Sequence, residues 1–347
     1  MVRAAPQRGE VVPVPDVVIR VERGLGRITL NRPGVINALN RGMVVEIHAA
    51  LTRWAGDDSV RAVLLDGAGE RGLCAGGDIR SVHDDARAGG SESIGFWTDE
   101  YRMNAAIGAF PKPYVALMDG VVMGGGVGVS AHGSVRVVTE RTRLAMPEVG
   151  IGLAPDVGGA HLLSRAPGEL GTYAALTAAH LSAADALHCG LADHFVPSAA
   201  LPALVDDLEF GAHLGVGVEA VVARHTADPG PSALAGRAPW VDHCFAADTV
   251  EEVLARLEAA GHADTAALIT TKSPTALKVA LEALRRAREL PDLDAVLAQD
   301  LRVSSACLRD HDLVEGIRAQ IVDKDRAPRW SPATLAGVSR EAVLAHF

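Results

Sequence analysis

The sequence predicts an α/β fold with a helical C-terminal part, and three observations carry that reading. Short, mainly apolar stretches at residues 62–66 (AVLLD) and 114–119 (YVALMD) read as buried strands, each running into a glycine-rich loop. After the second comes GGGVGVS, a loop and first helical turn, and then a further strand over 134–139; strand, glycine loop, helix and strand in that order make an α/β core. From Glu169 onward the apolar residues recur mostly at helical spacing, as in LGTYAALTAAHL and SAADALHCG.

The elements follow in order. Residues 17–23 and 27–31 read as two strands about a Gly24-Leu25-Gly26 turn, with Asn31-Arg32-Pro33 ending the second. Residues 41–55 set Met43, Ile47, Leu51 and Trp54 on one helical face. Two helices, over 79–88 and 93–110, follow the loop GAGERGLCAGGD (67–78), the second carrying Phe96, Tyr101 and Ile107. HFV at 194–196 is strand-like, and the glycines and prolines of 211–247 predict an irregular connection with one helix near 218–225. Thr249 with Glu252 forms a capping box for a helix to about residue 260. Ser273-Pro274 opens another, with Leu277, Leu281 and Leu284 in register, and a third spans 293–309. This divides the chain into an α/β core, residues 1–210, and a helical region, residues 211–347.

A chain of 347 residues can bury a sizeable core, and 48% hydrophobic with 22% charged residues is an ordinary globular composition. The net charge of −10 argues against a nucleic-acid or anionic-membrane partner, either of which needs a basic face. Cys74, Cys189, Cys244 and Cys307 are widely spaced with no C-x-x-C pair, which favours reduced thiols over disulfides or zinc. The N-terminal MVRAAPQRGEVVPVPD lacks an apolar signal-peptide centre, and Asp119, His132 and Arg136 interrupt the most apolar run. A cytoplasmic protein with no membrane segment is expected.

Several motifs lead nowhere. Gly67, Gly69 and Gly72 match G-x-G-x-x-G, but LCAGGD after them opens no helix for a pyrophosphate to sit on. Ser130 lies in GVSAH, where His132 takes the place of the second glycine of a nucleophile elbow. His188, Cys189 and His194 lack metal-ligand spacing, so no metal is expected. Asp310-His311-Asp312 reads equally as a catalytic pair or a solvated helix end.

Two glycine sites carry more. Gly76-Gly77 and Gly124-Gly125-Gly126 each follow a predicted strand, so two backbone N–H groups could converge on one carbonyl oxygen as an oxyanion hole. Either site alone is better explained by tight packing; the pair favours the oxyanion reading. Glu148 follows Met146-Pro147 and Asp156 follows Pro155, so both carboxylates sit at defined loop positions among apolar neighbours. Their spacing alone leaves helix capping and acid–base chemistry equally open.

NRPGVINALN (31–40), LCAGGDIR (73–80), KPYVALMDGVVMGGGVGVS (112–130) and AMPEVGIGLAPDVGG (145–159) resemble the crotonase (enoyl-CoA hydratase/isomerase) superfamily. Within it they are most similar to the branch that hydrolyses 3-hydroxyisobutyryl-CoA, and the likeness continues through KSPTALKVALEAL (272–284) and ACLRDHDLVEGIRAQIVDKDRAPRW (306–330). The resemblance implies a superhelix of ββα turns with a helical C-terminal region. It also implies an enzyme whose thioester oxygen binds the N–H groups of Gly77 and Gly125. Coenzyme A, as part of the substrate and the sole cofactor-like group, would lie along Asn37, Ala38, Leu39, Ala75, Gly76, Asp78 and Ile79.

The branch rests on particular positions. Hydratases commonly carry a second glutamate two residues after the triple glycine, where this chain has Gly128; Pro155-Asp156 and Glu100 match the hydrolases. The activity so implied is hydrolysis of a short branched β-hydroxyacyl-CoA thioester, 3-hydroxyisobutyryl-CoA of valine breakdown. Glu148 would be the attacking carboxylate or a general base, and Asp156 and Glu100 would bind the substrate hydroxyl or position water. The alternatives are a hydratase or isomerase using Glu148 alone, and a catalytically silent acyl-CoA-binding protein. The superfamily often trimerises through its C-terminal helices, which leaves a homo-oligomer open.

Overall fold

Arg23 and Gly24, both at positive φ (51° and 90°), reverse the chain between strands β1 (Val17–Glu22) and β2 (Leu25–Leu30). A two-residue turn with both residues left-handed matches the twist of an antiparallel pair. The turn therefore lies one residue earlier than the sequence suggested, and Gly26 is already in the strand. There the Trp54 ring takes the space a side chain would need, 2.8 Å from a methyl group placed on Gly26. This is a computed structural model, and it describes residues 14–347; residues 1–13, and with them most of the stretch read for a signal peptide, lie outside it.

Strands β3 (Ala62–Gly67) and β4 (Tyr114–Met118) continue the sheet in parallel from β2. A short strand β5 (Val121–Met123) follows, then β6 (Val135–Val138), β7 (Arg143–Ala145) and β8 (His194–Phe195). The main sheet has the order β1-β2-β3-β4-β6-β8, while β5 and β7 pair in parallel as a small second sheet. Thus β4-β5 and β6-β7 are successive turns, each giving one strand to either sheet, as the predicted ββα superhelix requires. With three residues each, β5 and β7 are too short to show alternation.

Helix α1 (Arg41–Ala55) is capped by the Asn40 side chain and buries Met43, Ile47, Leu51 and Trp54 as expected. Helices α2 (Ile79–Arg87) and α3 (Glu92–Gly108) follow the 67–78 loop, and α4 (Gly125–Ser130) starts inside the triple glycine. Next come α5 (Gly159–Leu163), α6 (Leu170–Thr177), α7 (Ala183–His188) and α8 (Leu201–Leu214). The alternation within β3 explains α8. Val63 and Leu65 join the main core, whereas Ala62 and Leu64 face the other way, onto Leu204, Leu208 and Ala212 of α8. Residue 210, the boundary drawn from the sequence, falls inside this helix.

The stretch 211–247 holds more helix than expected: the end of α8, then α9 (Val218–Ala223) and α10 (Ala238–Phe245). Pro239 lies in the first turn of α10, where a missing N–H costs nothing, so it opens the helix it had seemed to prevent. Helices α11 (Val250–Ala259), α12 (Ala263–Thr270), α13 (Pro274–Glu289), α14 (Leu293–Cys307), α15 (His311–Ile317) and α16 (Arg340–Leu344) complete the chain. Thr249 caps α11 through the Glu252 N–H at 3.2 Å. Asp312 is not at a solvated end. It is buried and accepts from the Ser273 hydroxyl at 2.6 Å, tying α15 to the start of α13. Among the described residues, no helix is long and apolar enough to cross a membrane.

Candidate active site

Residues 73–77 run beside β5: Leu73 N–H donates to Asp119 C=O, Cys74 N–H to Val121 C=O, and Met123 N–H to Cys74 C=O. This side-by-side path brings the two glycine sites together. A methyl group on Gly125 would lie 3.3 Å from the Gly77 nitrogen. Leu39 pairs with Gly77 through its neighbours, Leu39 N–H to Gly76 C=O and Asp78 N–H to Leu39 C=O, which leaves the Gly77 N–H itself unused. The Gly125 N–H is the first of α4 and has no intrahelical acceptor. Among the described residues neither N–H meets a protein acceptor, and both adjoin a cavity of about 490 Å³. That volume suits part of a small ligand.

Three carboxylates line the same cavity: Glu100 from α3, Glu148 from the loop after β7, and Asp156 from the next loop. Glu148 follows Pro147 and opens a single 3-10 turn, its C=O accepting from Ile151 and Leu153. Its Oε1 would be 3.0 Å from a methyl group on Gly124, and Glu100 Oε1 2.6 Å from one on Gly125, so both flank the free N–H groups. Glu148 Oε2 and Glu100 Oε1 are buried with no protein hydrogen-bond partner. Asp156 Oδ2 instead accepts a hydrogen bond from the Tyr101 hydroxyl at 2.7 Å.

The electrostatics follow from burial without cations. Among the described residues no basic side chain forms an ion pair with any of the three. Burial, then the charge of Asp156, pushes Glu148 and Glu100 well above the ordinary carboxylate range. Burial raises Asp156 less, to about 6, because the Tyr101 hydrogen bond favours its charged form. Burial thus disfavours charge on both Glu148 and Asp156, and the two titrate as a coupled pair.

The second-glutamate position of hydratases is closed here. A methyl group on Gly128 would sit 2.7 Å from Val157 Cβ and 3.0 Å from Asn104 Nδ2. A glutamate there would have to displace one of them.

A sequence profile described as enoyl-CoA hydratase/isomerase matches residues 25–347. The chain belongs to that family. It is 40% identical over 344 residues to "3-hydroxyisobutyryl-CoA hydrolase, mitochondrial" of Gallus gallus, covering 94% of this chain and 87% of the relative. Among solved structures it is similar to a carnitinyl-CoA dehydratase from Mycobacterium thermoresistibile, at TM-score 0.91, 53% identity and 96% coverage of both chains. It is also similar to an enoyl-CoA hydratase from Rhodobacter sphaeroides, at TM-score 0.88 and 42% identity, over 96% of this chain and 97% of that one.

In this family member, the residues expected to touch coenzyme A divide into two groups. Ala75, Gly76 and Ile79 line the cavity with Gly77 and Gly125. Asn37, Ala38, Leu39 and Asp78 do not line it, and their polar groups are engaged within the protein. The Asn37 amide is spent on the carbonyls of Ala68, Gly72 and Leu73, and its Oδ1 on the Arg32 N–H. Ala38 C=O and the Asp78 carboxylate are both held by the Arg32 guanidinium. Leu39 and Asp78 instead border a smaller groove of about 190 Å³ that shares Val82 and Phe96 with the main cavity.

Sequence reasoning missed Lys272 and His180, which also line the cavity, and the hydroxyl of Tyr101. Lys272 directly precedes the N-cap of α13 and opens the stretch 272–284, which reads as a helix and not as a site. After Gly67–Gly72 the next helix starts only at Ile79, so no helix N-terminus follows that segment directly.

Proposed function

We propose that the protein is an acyl-CoA thioester hydrolase acting on a short branched β-hydroxyacyl-CoA, 3-hydroxyisobutyryl-CoA, within valine breakdown. One observation carries the reading: two buried carboxylates flank a pair of free N–H groups where a hydratase's second glutamate is sterically shut out. The hydrolase name of the Gallus gallus relative points the same way. The runner-up, hydration or dehydration with Glu148 alone, draws on the names of the two solved structures.

The geometry supports the following course. The thioester oxygen accepts from Gly77 and Gly125 N–H, which stabilise the charge it gains on attack. The Glu148 carboxylate attacks the carbonyl carbon; the new C–O bond forms, the C–S bond breaks, and the departing thiolate takes the proton shared with Asp156. Water then opens the mixed anhydride, giving its proton to Asp156 and returning Glu148 to the carboxylate. The net change is thioester plus water to acid plus thiol. Glu100 would accept from the substrate hydroxyl, and an acyl chain without that hydroxyl would leave it unpaired.

Supplying the purified protein with 3-hydroxyisobutyryl-CoA and, separately, crotonyl-CoA tests this. Thiol release from the first and none from the second is expected. Loss of enoyl absorbance without thiol would establish the runner-up, and binding without either signal the silent protein. A cytoplasmic location stays part of the proposal; it accords with four free, buried cysteines, whereas the relative is named mitochondrial.

A further inference from the structure

Asp156 sits on a turn that the chain would not adopt unaided. Val157 and Gly158 after it are at φ 52° and 76°, and Gly159 N–H closes back on Asp156 C=O at 2.6 Å. A β-branched residue is rarely found at positive φ, so this turn must be held from outside. Two side chains one helical turn apart on α14 hold it. Asp300 Oδ2 accepts from Gly158 N–H at 2.8 Å, and the Ser304 hydroxyl lies 2.9 Å from the Tyr101 hydroxyl. His132 Nε2 also donates to Val157 C=O at 2.8 Å.

The direction of the hydroxyl chain follows from counting protons. The phenol has one, and it goes to Asp156. Ser304 is therefore the donor to the phenol oxygen, and each bond polarises the next toward Asp156. All three side chains are buried, so this chain is shielded from water.

We propose that Tyr101 is a positioning residue for the hydrolysis: through the chain Ser304 to Tyr101 to Asp156 it favours the charged Asp156 carboxylate left once its proton has gone to the thiolate, and aims that carboxylate at the attacking water. The inference rests on the hydrolase reading above. The ionisable groups facing Asp156 are Glu148, Glu100 on α3 and Asp300 on α14, all acids. His132, with its value lowered to about 4 by burial, stays neutral and adds no positive charge. Lys272 and His180 line the cavity without pairing to Asp156. Tyr101 itself is kept protonated by burial and by these neighbouring acids. Among the described residues, its hydrogen bond is thus the one side-chain contact that favours charge on Asp156.

A hydrogen bond to a charged group lowers its pKa, so removing the bond raises it. With opening of the anhydride limiting, Tyr101→Phe is expected to move the acid limb of the kcat profile upward by about one to two pH units while leaving the alkaline plateau within about tenfold of wild type. Ser304→Ala should move it the same way by less. Met103→Leu, buried in the same helix, should leave it in place. An equal loss at every pH with the limb unmoved would show that Tyr101 only packs, and would overturn the proposal.

A substrate-free readout separates this from the hydrolase reading. With carboxyl-labelled aspartate, the Asp156 carbon resonance should titrate at higher pH in Tyr101→Phe and in Ser304→Ala. If it does so while wild type releases no thiol, the positioning stands and the hydrolase reading fails. If wild type turns over but neither resonance nor limb moves in either variant, the proposal fails. Ser304→Ala keeps the test decisive should Tyr101→Phe not fold.

Discussion

Glu148→Gln is expected to lower thiol release from 3-hydroxyisobutyryl-CoA by about 10⁴-fold or more, with affinity for coenzyme A changed only a few-fold. The substitution keeps the size of the side chain and removes its charge and nucleophilicity. Glu148 Oε2 has no protein hydrogen-bond partner to lose, and the amide keeps an oxygen for the Glu148 backbone N–H. The fold should therefore be unaffected, and thermal melting should verify this. Turnover would be measured by thiol release and affinity by calorimetry. A variant that turns over at the wild-type rate removes Glu148 from the mechanism. Single turnover of wild type in ¹⁸O-water then decides how Glu148 acts. An anhydride opened at the Glu148 carbonyl passes one of that residue's unlabelled oxygens to the first product and leaves label on Glu148, so label found there establishes a nucleophile; a general base never acquires it.

Gly125→Ala should lower kcat by at least about 10²–10³-fold, the usual effect of losing a single oxyanion donor. The added methyl group would stand 2.6 Å from Glu100 Oε1, 3.3 Å from the Gly77 nitrogen and 3.3 Å from Leu39 Cδ1. It would occupy the space the substrate oxygen needs, so both N–H groups lose access even though the backbone carrying them persists. The suitable control is Gly236→Ala, where a methyl group meets nothing within 4 Å and its activity should match wild type. Stopped-flow single-turnover rates, compared with melting temperatures, separate a blocked hole from a disturbed fold. Undiminished chemistry in Gly125→Ala would discard the oxyanion assignment.

What was legible in the sequence is what is local. The α1 face, the strands β3 and β4, and the loop positions of Glu148 and Asp156 depend on neighbouring residues, and all are where the pattern put them. The absence of a glutamate at Gly128 could be read directly, but its reason, the closeness of Val157 and Asn104, could not. Asn37 shows the limit from the other side. Its place in a recognisable motif suggested ligand contact, whereas its amide is wholly used in stitching the 67–73 loop to the wall. The supports of Asp156 were out of reach, because Ser304 is 203 residues from Tyr101 and Asp300 is 142 from Gly158. No spacing rule spans such distances. Helix α10 was missed for a simpler reason, since proline signals both a stop and a start.

The grip of α14 on the 156–158 turn makes turnover a reporter of how well the last third of the chain is docked. Any free energy that holds α14 against α3 also holds the strained Val157 conformation, and ligand bound at Asp156 must in return tighten that docking by linkage. Partial release of the C-terminal helices would let the turn relax before the main sheet melts. Loss of activity in urea is therefore expected at lower concentration than loss of far-ultraviolet circular dichroism, and bound coenzyme A should narrow the gap. The last third of the polypeptide thus acts as a tension member, loaded by the very turn whose carboxylate it keeps in range.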